Sequence, residues 1–411
     1  MTSSRLPKEF WNFILARLFF VLGFRMISSI VMYQIFHLTN TYMVGIAGMC
    51  EFVPAVVSAL YAGHYIDRHN KRNILIWSYA FYLICAASLG IVSMPQIQIS
   101  GHARVIGILS IVFCTGIIRS FAGPTANSML PMIVSRAQLP RAISFNSSTW
   151  LVSSIMGHAA GGMLIALGDA PGDTLANIYI AYFVTTALIL TAGFFAASLK
   201  PKPPVTRVHT EPMVQAIRQG FKFVFSNKNL LGVLSLDLFA VLFGGAVAFI
   251  PEIAENVLHV KGIGYGFLNA AMDIGSLVSI GLLIWMPMKQ KQGLKMILAV
   301  AAFGLCIIIF GLSKVFWLSF LALAVAGFFD GISVVVRGTI AQLNTPDELR
   351  GRVASINLIF INYSNELGQF ESGLTSKWMS SVPAIIFGGA MSLAVVVGTW
   401  FKFPNLRKLE Y

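Results

Sequence analysis

The sequence predicts an all-α integral membrane protein, with twelve transmembrane helices in two pseudo-symmetric six-helix bundles, and three observations lead there. Of 411 residues, 56% are hydrophobic and 11% charged, with 32 Phe and a mean hydropathy of +0.77; soluble domains carry about 25% charged residues. A spanning helix needs roughly 20 apolar residues, and such runs fall at 10–36, 41–66, 74–94, 104–133, 141–167, 176–198, 229–251, 262–286, 296–313, 316–343, 352–378 and 382–401. They do not alternate in the segments of about 10 residues that an outer-membrane barrel would need. Third, the longest hydrophilic stretch, 199–228, with six Lys and Arg and Pro201, Pro203 and Pro204, separates a half at 1–198 from a half at 229–411.

The first span follows Arg5 and Lys8, is too long for a signal-peptide core and has no small-residue cleavage site after it, so it is expected to remain in the membrane. Cys50, Cys85, Cys114 and Cys306 lie singly within spans, with no C-x-x-C, which points to neither a disulfide framework nor a metal site. The net charge of +13 is not a nucleic-acid footprint. Of 29 Lys and Arg, 21 fall in the termini and the even-to-odd loops, while only Arg104, Lys261, Lys314 and Lys377 lie opposite. That bias places both termini in the cytoplasm. In the connecting segment, the apolar spacing from Met213 to Phe225 predicts a short amphipathic helix on the membrane surface.

The halves read as repeats. Gly116-Ile-Ile-Arg119 matches Gly327-Phe-Phe-Asp330, and Ser135 to Gln138 matches Thr345 to Glu348, both with capping-box spacing. Beyond them Asn146 aligns with Asn357, Gly157 with Gly368 and Gly162 with Gly373, and more weakly Arg17-Leu-Phe aligns with Asp237-Leu-Phe.

Ionisable residues within spans cost roughly 2.5–3.5 kcal/mol each and usually face a bundle interior or a wet cavity. Here they are Arg17 and Arg25 in the first span, Glu51 in the second, Arg119 in the fourth, Asp237 in the seventh, Asp273 in the eighth, Asp330 and Arg337 in the tenth, and Glu366 and Glu371 in the eleventh. The third, sixth, ninth and twelfth have none. Each has a plainer reading as an interhelical ion pair or a snorkelling side chain. Arg17, Arg25, Glu51, Arg119, Arg337 and Glu371 are the candidates to line a substrate cavity. Asp330 and Glu366, mid-span, are the first candidates to carry a proton, with Asp237 and Asp273 behind them. Burial disfavours a charged carboxylate and a nearby arginine favours it, so a carboxylate moving between such surroundings binds and releases a proton. Arg119 and Asp330, at matching repeat positions with opposite charge, would suit a zwitterionic or amphipathic substrate or form a switchable lock between the halves.

Between the second and third spans stands Gly63-His-Tyr-Ile-Asp67-Arg68-His-Asn-Lys71-Arg72. This G-x-x-x-D-R-x-x-K-R spacing resembles the loop 2–3 signature of the major facilitator superfamily, with Asn70 where that family usually has glycine. Asn tolerates a left-handed turn next best. Gly157-His158-Ala-Ala-Gly161-Gly162 in the fifth span resembles the antiporter element G-P-x-x-G-G, with His158 in place of proline. His158 is either a buried neutral imidazole or a titrating group. Pro346 to Val353 and Ser364 to Gly373 look like the branch that holds enterobactin exporters and macrolide efflux pumps.

The resemblance implies a secondary transporter of the inner (plasma) membrane, monomeric and without cofactor. It implies proton-driven export of a small-molecule substrate, siderophore- or drug-like, by alternating access, with spans 1, 4, 7 and 10 around the cavity. It also implies that Asp67 meets the start of the eleventh helix, near Thr345 to Arg352, when the cavity opens outward. Arg25, a cation where many members of the wider branch carry an acid, favours an anionic or neutral substrate. A lysophospholipid flippase of related architecture and a transport-inactive sensor remain open. A membrane enzyme lacks support from H-x-x-x-x-D, H-E-x-x-H or a nucleotide-binding glycine loop.

Overall fold

Polar caps mark where the apolar runs break into separate helices. In the computed structural model, which describes residues 6–168, 175–202, 213–286, 288, 290–346 and 349–409, the first six long helices are α1 (Lys8–Leu38), α2 (Thr41–Arg68), α3 (Lys71–Val92), α4 (Gly101–Ile133), α5 (Leu139–Gly168) and α6 (Ile178–Ala197). Asn40 and Ser100 accept from the Met43 and Ala103 amides and so start α2 and α4. After a linker helix (Met213–Ser226) come α7 (Lys228–Gly244), α8 (Gly262–Trp285), α9 (Gln292–Leu312), α10 (Phe316–Leu343), α11 (Arg350–Met379) and α12 (Ser381–Lys402). Among the described residues there is no strand.

Among the described residues, eleven helices are long and apolar enough to cross a membrane. The twelfth, α11, has 30 residues, but Asn357, Asn362, Asn365, Glu366, Gln369 and Glu371 dilute its hydrophobicity. Large apolar side chains face outward from several helices, among them Trp77 and Phe81 on α3 and Leu190 and Phe194 on α6. Such exposure is expected where the surrounding solvent is hydrocarbon.

The chain divides into two compact units, Met1–Arg207 with Val260–Ala270, and Val208–His259 with Ala271–Tyr411. In the first, α1 lies against α5 and α6, α2 against α4, and α3 against α4 and α6. Its interior includes Phe10, Phe13, Leu75, Tyr79, Met129 and Ala196. In the second, α7 lies against α11 and α12, and α9 against α10 and α12, around Val233, Leu236, Met296, Val300, Val336 and Ile340.

The aligned glycines do the same work in both units. A Cβ on Gly157 would stand 2.7 Å from the Leu22 carbonyl of α1, and one on Gly368 would stand 3.0 Å from the Val241 and Leu242 carbonyls of α7. Small residues thus let helix backbones approach at equivalent places.

Three local expectations are changed by the structure. The seventh span is not one helix: α7 ends at Gly244, and the chain continues through a 3-10 turn (Ala246–Phe249), a short turn (Ile250–Glu252) and a wide π turn (Ile253–Val257). Gly244-Gly245 and Pro251 explain the break, since glycine gives the helix no support and proline lacks a donor. The Ser372 hydroxyl of α11 donates to the Gly245 carbonyl at 2.7 Å, which satisfies an acceptor at the break. The Thr345 hydroxyl turns back to the Ala341 carbonyl of α10 at 2.5 Å, so it closes α10, while its partner in the expected box, Glu348, lies outside the described residues. In the matching turn, Gln138 does accept from the Ser135 amide and hydroxyl. Finally, the linker helix covers part of its apolar face with protein: Val224 is buried among Leu230, Leu234, Ala341 and Val353.

Candidate functional site

In the first unit, cations and aromatic rings alternate in one file. The Arg17 and Arg25 guanidinium carbons both lie 5.5 Å from the Trp150 ring centre. Arg25 and Arg119 in turn lie 5.5 and 5.4 Å from the Phe24 ring. At the far end Arg119 Nη1 donates to Glu51 Oε1 at 3.2 Å. Arg17 is 9% exposed, and the Nε atoms of Arg17 and Arg25 are buried without a hydrogen-bond partner. Among the described residues, neither Arg17 nor Arg25 has a carboxylate at ion-pair distance. The fold holds this file in place through α5: Trp150, Gly157 and Gly161 are spaced seven and four apart, hence on one helix face, and Gly157 and Gly161 lie against Arg25, Met26 and Ser29 of α1.

The second unit holds an excess of carboxylates. Asp237 of α7 and Arg337 of α10 form an ion pair with both side chains buried, and the Ser333 hydroxyl donates to Asp237 Oδ1 at 2.8 Å. Asp330, Ser333 and Arg337 are three and four residues apart, so α10 presents them along one face. Asp330 and Asp237 line the same pocket, with Val300, Phe303 and Phe329. Asp273 of α8 is a like-charged neighbour of Asp330, across a seam where Ser276 Oγ donates to the Gly327 carbonyl at 2.9 Å. On α11, Glu366 is buried and Glu371 half-buried.

His158 of α5 is buried, with Nδ1 2.6 Å from Ser29 Oγ. The Tyr265 hydroxyl donates to the Ser29 carbonyl at 2.8 Å, and a Cβ on Gly162 would meet Gly262 and Gly266. The segment Val260–Ala270 is thereby seated on α1 and α5 inside the first unit. Without proline at position 158, α5 runs unbroken through the motif.

The described residues thus form two buried groups of opposite excess charge, one in each unit. The family model of the Major Facilitator Superfamily matches residues 13–369. The chain belongs to this superfamily. As a member it is a multi-pass membrane transporter of small molecules. It is 22% identical over 340 residues to the enterobactin exporter EntS of Citrobacter koseri, covering 82% of this chain and 78% of that one. To the EntS of Escherichia coli O1:K1 it is 21% identical over the same shares. Among solved structures, a D-xylose-proton symporter superposes with a TM-score of 0.74 at 13% identity, over 98% of this chain and 99% of that one. A bacterial homologue of the human lysosomal transporter Spinster gives 0.71 at 15%, over 98% and 97%.

The superfamily's loop motif is built into the first unit's surface. Asn70 is extended, at φ −66° and ψ 112°, rather than left-handed, because its side chain caps α3 by accepting from the Arg72 amide at 3.1 Å. The same oxygen accepts from the Lys202 amide at 3.1 Å, and the Lys71 amide donates to the Lys202 carbonyl at 3.2 Å. Arg72 Nη2 donates to the Ala197 carbonyl at 2.6 Å, and Lys71 is buried with Nζ 3.4 Å from the Ile66 carbonyl. Lys202 Nζ pairs with Glu9 at 2.9 Å and reaches the Met132 carbonyl. Gly63 lies in the last turns of α2, and Asp67 and Arg68 close that helix in exposed positions. Asp347, Glu348 and the side chains of Arg350 to Arg352, the region expected to meet Asp67, lie outside the described residues. Asn70→Ala is expected to lower stability by about 0.5–2 kcal/mol, the usual worth of a cap. A melting temperature equal to wild type would show that the cap does not hold the loop.

The cations and Glu51 stand out in the sequence, and Trp150 and Phe24 do not. Trp150 was legible in principle, two helical turns before Gly157 on the same face. Ser333 was legible too, between Asp330 and Arg337.

Proposed function

We propose that this transporter exports a small amphipathic molecule, siderophore- or drug-like, from the cytoplasm by proton-coupled alternating access. The observation that supports it most is Asp330. It lines a pocket beside the buried Asp237–Arg337 pair, and no cation is its partner among the described residues. A carboxylate in that position takes up a proton without breaking an ion pair, whereas Asp237 is committed to Arg337. Glu366 is the second carrier. The relatives at 21–22% identity bear the name of an exporter, which favours outward movement. Asp67, at the end of α2, acts as part of the cytoplasmic gate.

Uptake of candidate compounds into everted membrane vesicles, with and without an imposed pH gradient, tests the reading. Gradient-stimulated accumulation is the expected result, and transport indifferent to the gradient would remove the proton. The 21-to-4 distribution of basic residues supports both termini and the 199–228 segment lying at the cytoplasmic face. A cysteine introduced at position 205 should react with an impermeant maleimide in everted vesicles and not in intact cells; labelling of intact cells would reverse the orientation.

A further inference from the structure

We propose that the Arg17–Trp150–Arg25–Phe24 file in the first unit is a binding site for an organic anion whose charged group adjoins an aromatic ring. This names the substrate class for the transport reading above and rests on it.

Arg119 is neutralised by Glu51 at 3.2 Å, but Arg17 and Arg25 are not matched by any carboxylate at ion-pair distance among the described residues. Guanidinium groups do not lose their charge under physiological conditions, and an uncompensated cation within a membrane span is costly. Their buried Nε atoms have no partner. Two donors are thus left unpaired where a polar partner is most needed. What surrounds them is aromatic rather than acidic: the indole of Trp150 stands between the two, and Phe24 between Arg25 and Arg119. With each guanidinium carbon 5.5 Å from the Trp150 centre, the rings are near enough for cation–π attraction. That attraction orients the cations but leaves their N–H groups without acceptors. A ligand completing the site must bring oxygen acceptors for guanidinium and a flat apolar surface for the rings. A carboxylate or phenolate on an aromatic ring brings both. An aliphatic cation brings neither, and a neutral sugar brings no charge to offset the guanidinium groups.

The test uses purified full-length protein in detergent at fixed pH, with three naphthalene probes of matched size: 2-naphthoate, neutral 2-naphthamide and the cation (2-naphthylmethyl)trimethylammonium. Naphthoate is expected to bind roughly tenfold or more tightly than either, the worth of hydrogen bonds to a charged group. Arg17→Gln and Arg25→Gln should each weaken naphthoate by a similar factor and leave naphthamide unchanged. Arg25→Lys should keep part of the affinity, which separates a lost charge from a misfolded variant. Trp150→Leu should weaken naphthoate and spare octanoate. Equal binding of the three probes, binding of none, or full naphthoate affinity in both glutamine variants would overturn the proposal. Tighter binding of lysophosphatidylglycerol than of naphthoate would also overturn it, in favour of a lipid anion. No pH gradient enters these measurements, so anion selectivity without gradient-driven transport would sink the coupling and leave this site, while the reverse would sink this site alone.

Discussion

Arg337→Met is expected to destabilise the protein by about 3–5 kcal/mol, the usual result of removing one partner from a buried ion pair. Arg337 is 2% and Asp237 4% exposed, so among the described residues the remaining carboxylate would keep only the Ser333 hydroxyl as a partner in an apolar surrounding. Low expression and a clearly lower melting temperature should follow. The double variant Asp237→Asn, Arg337→Met should recover most of the loss, because an uncharged, hydrogen-bonded asparagine replaces a stranded charge. A single variant that melts like wild type would show that the pair contributes nothing to the fold. Recovery in the double variant without recovery of transport would give the pair a part in the cycle as well.

Asp330→Asn is expected to abolish transport driven by a pH gradient while exchange of substrate down its own gradient persists. Asparagine keeps the shape and the polar contacts but cannot carry a proton. Its pocket is shared with Asp237, yet Asp330 is outside the ion pair, so the substitution should leave melting close to wild type. That contrast with Arg337→Met is the useful one: two residues seven apart on α10, one needed for folding and the other for coupling. If Asp330→Asn and Glu366→Gln both retain full gradient-driven transport, coupling must be sought at Asp237, Asp273 or His158.

Helix positions were legible because an apolar run long enough to span a bilayer has few alternatives. The break after Gly244 was not, because hydropathy does not register backbone support, although Gly244-Gly245 and Pro251 stood in the sequence. The intramembrane charges were visible one by one, as costly exceptions in apolar runs. Their partners were not. Repeat alignment set Arg119 against Asp330, whereas Arg119 pairs with Glu51 within its own unit, because pairing depends on how neighbouring helices are rotated. Trp150 stayed hidden for a different reason: in a chain with 12% aromatic residues, one more ring in a span carries no signal until the helix face it shares with Gly157 is known. Asn70 looked like a tolerated departure at a turn, and only the position of Lys202 shows its side chain as a junction.

That junction has a mechanical consequence. Glu9, one residue inside α1, and Lys202, just past α6, are bonded to each other, to the cap of α3 and to the end of α4. The start of α1 and the stretch after α6 are therefore tied together at a single knot. A pull transmitted through the segment that follows cannot peel α6 away one turn at a time. It loads several bonds in parallel, and they must fail together. Force is delivered to α1, α3, α4 and the stretch after α6 at once.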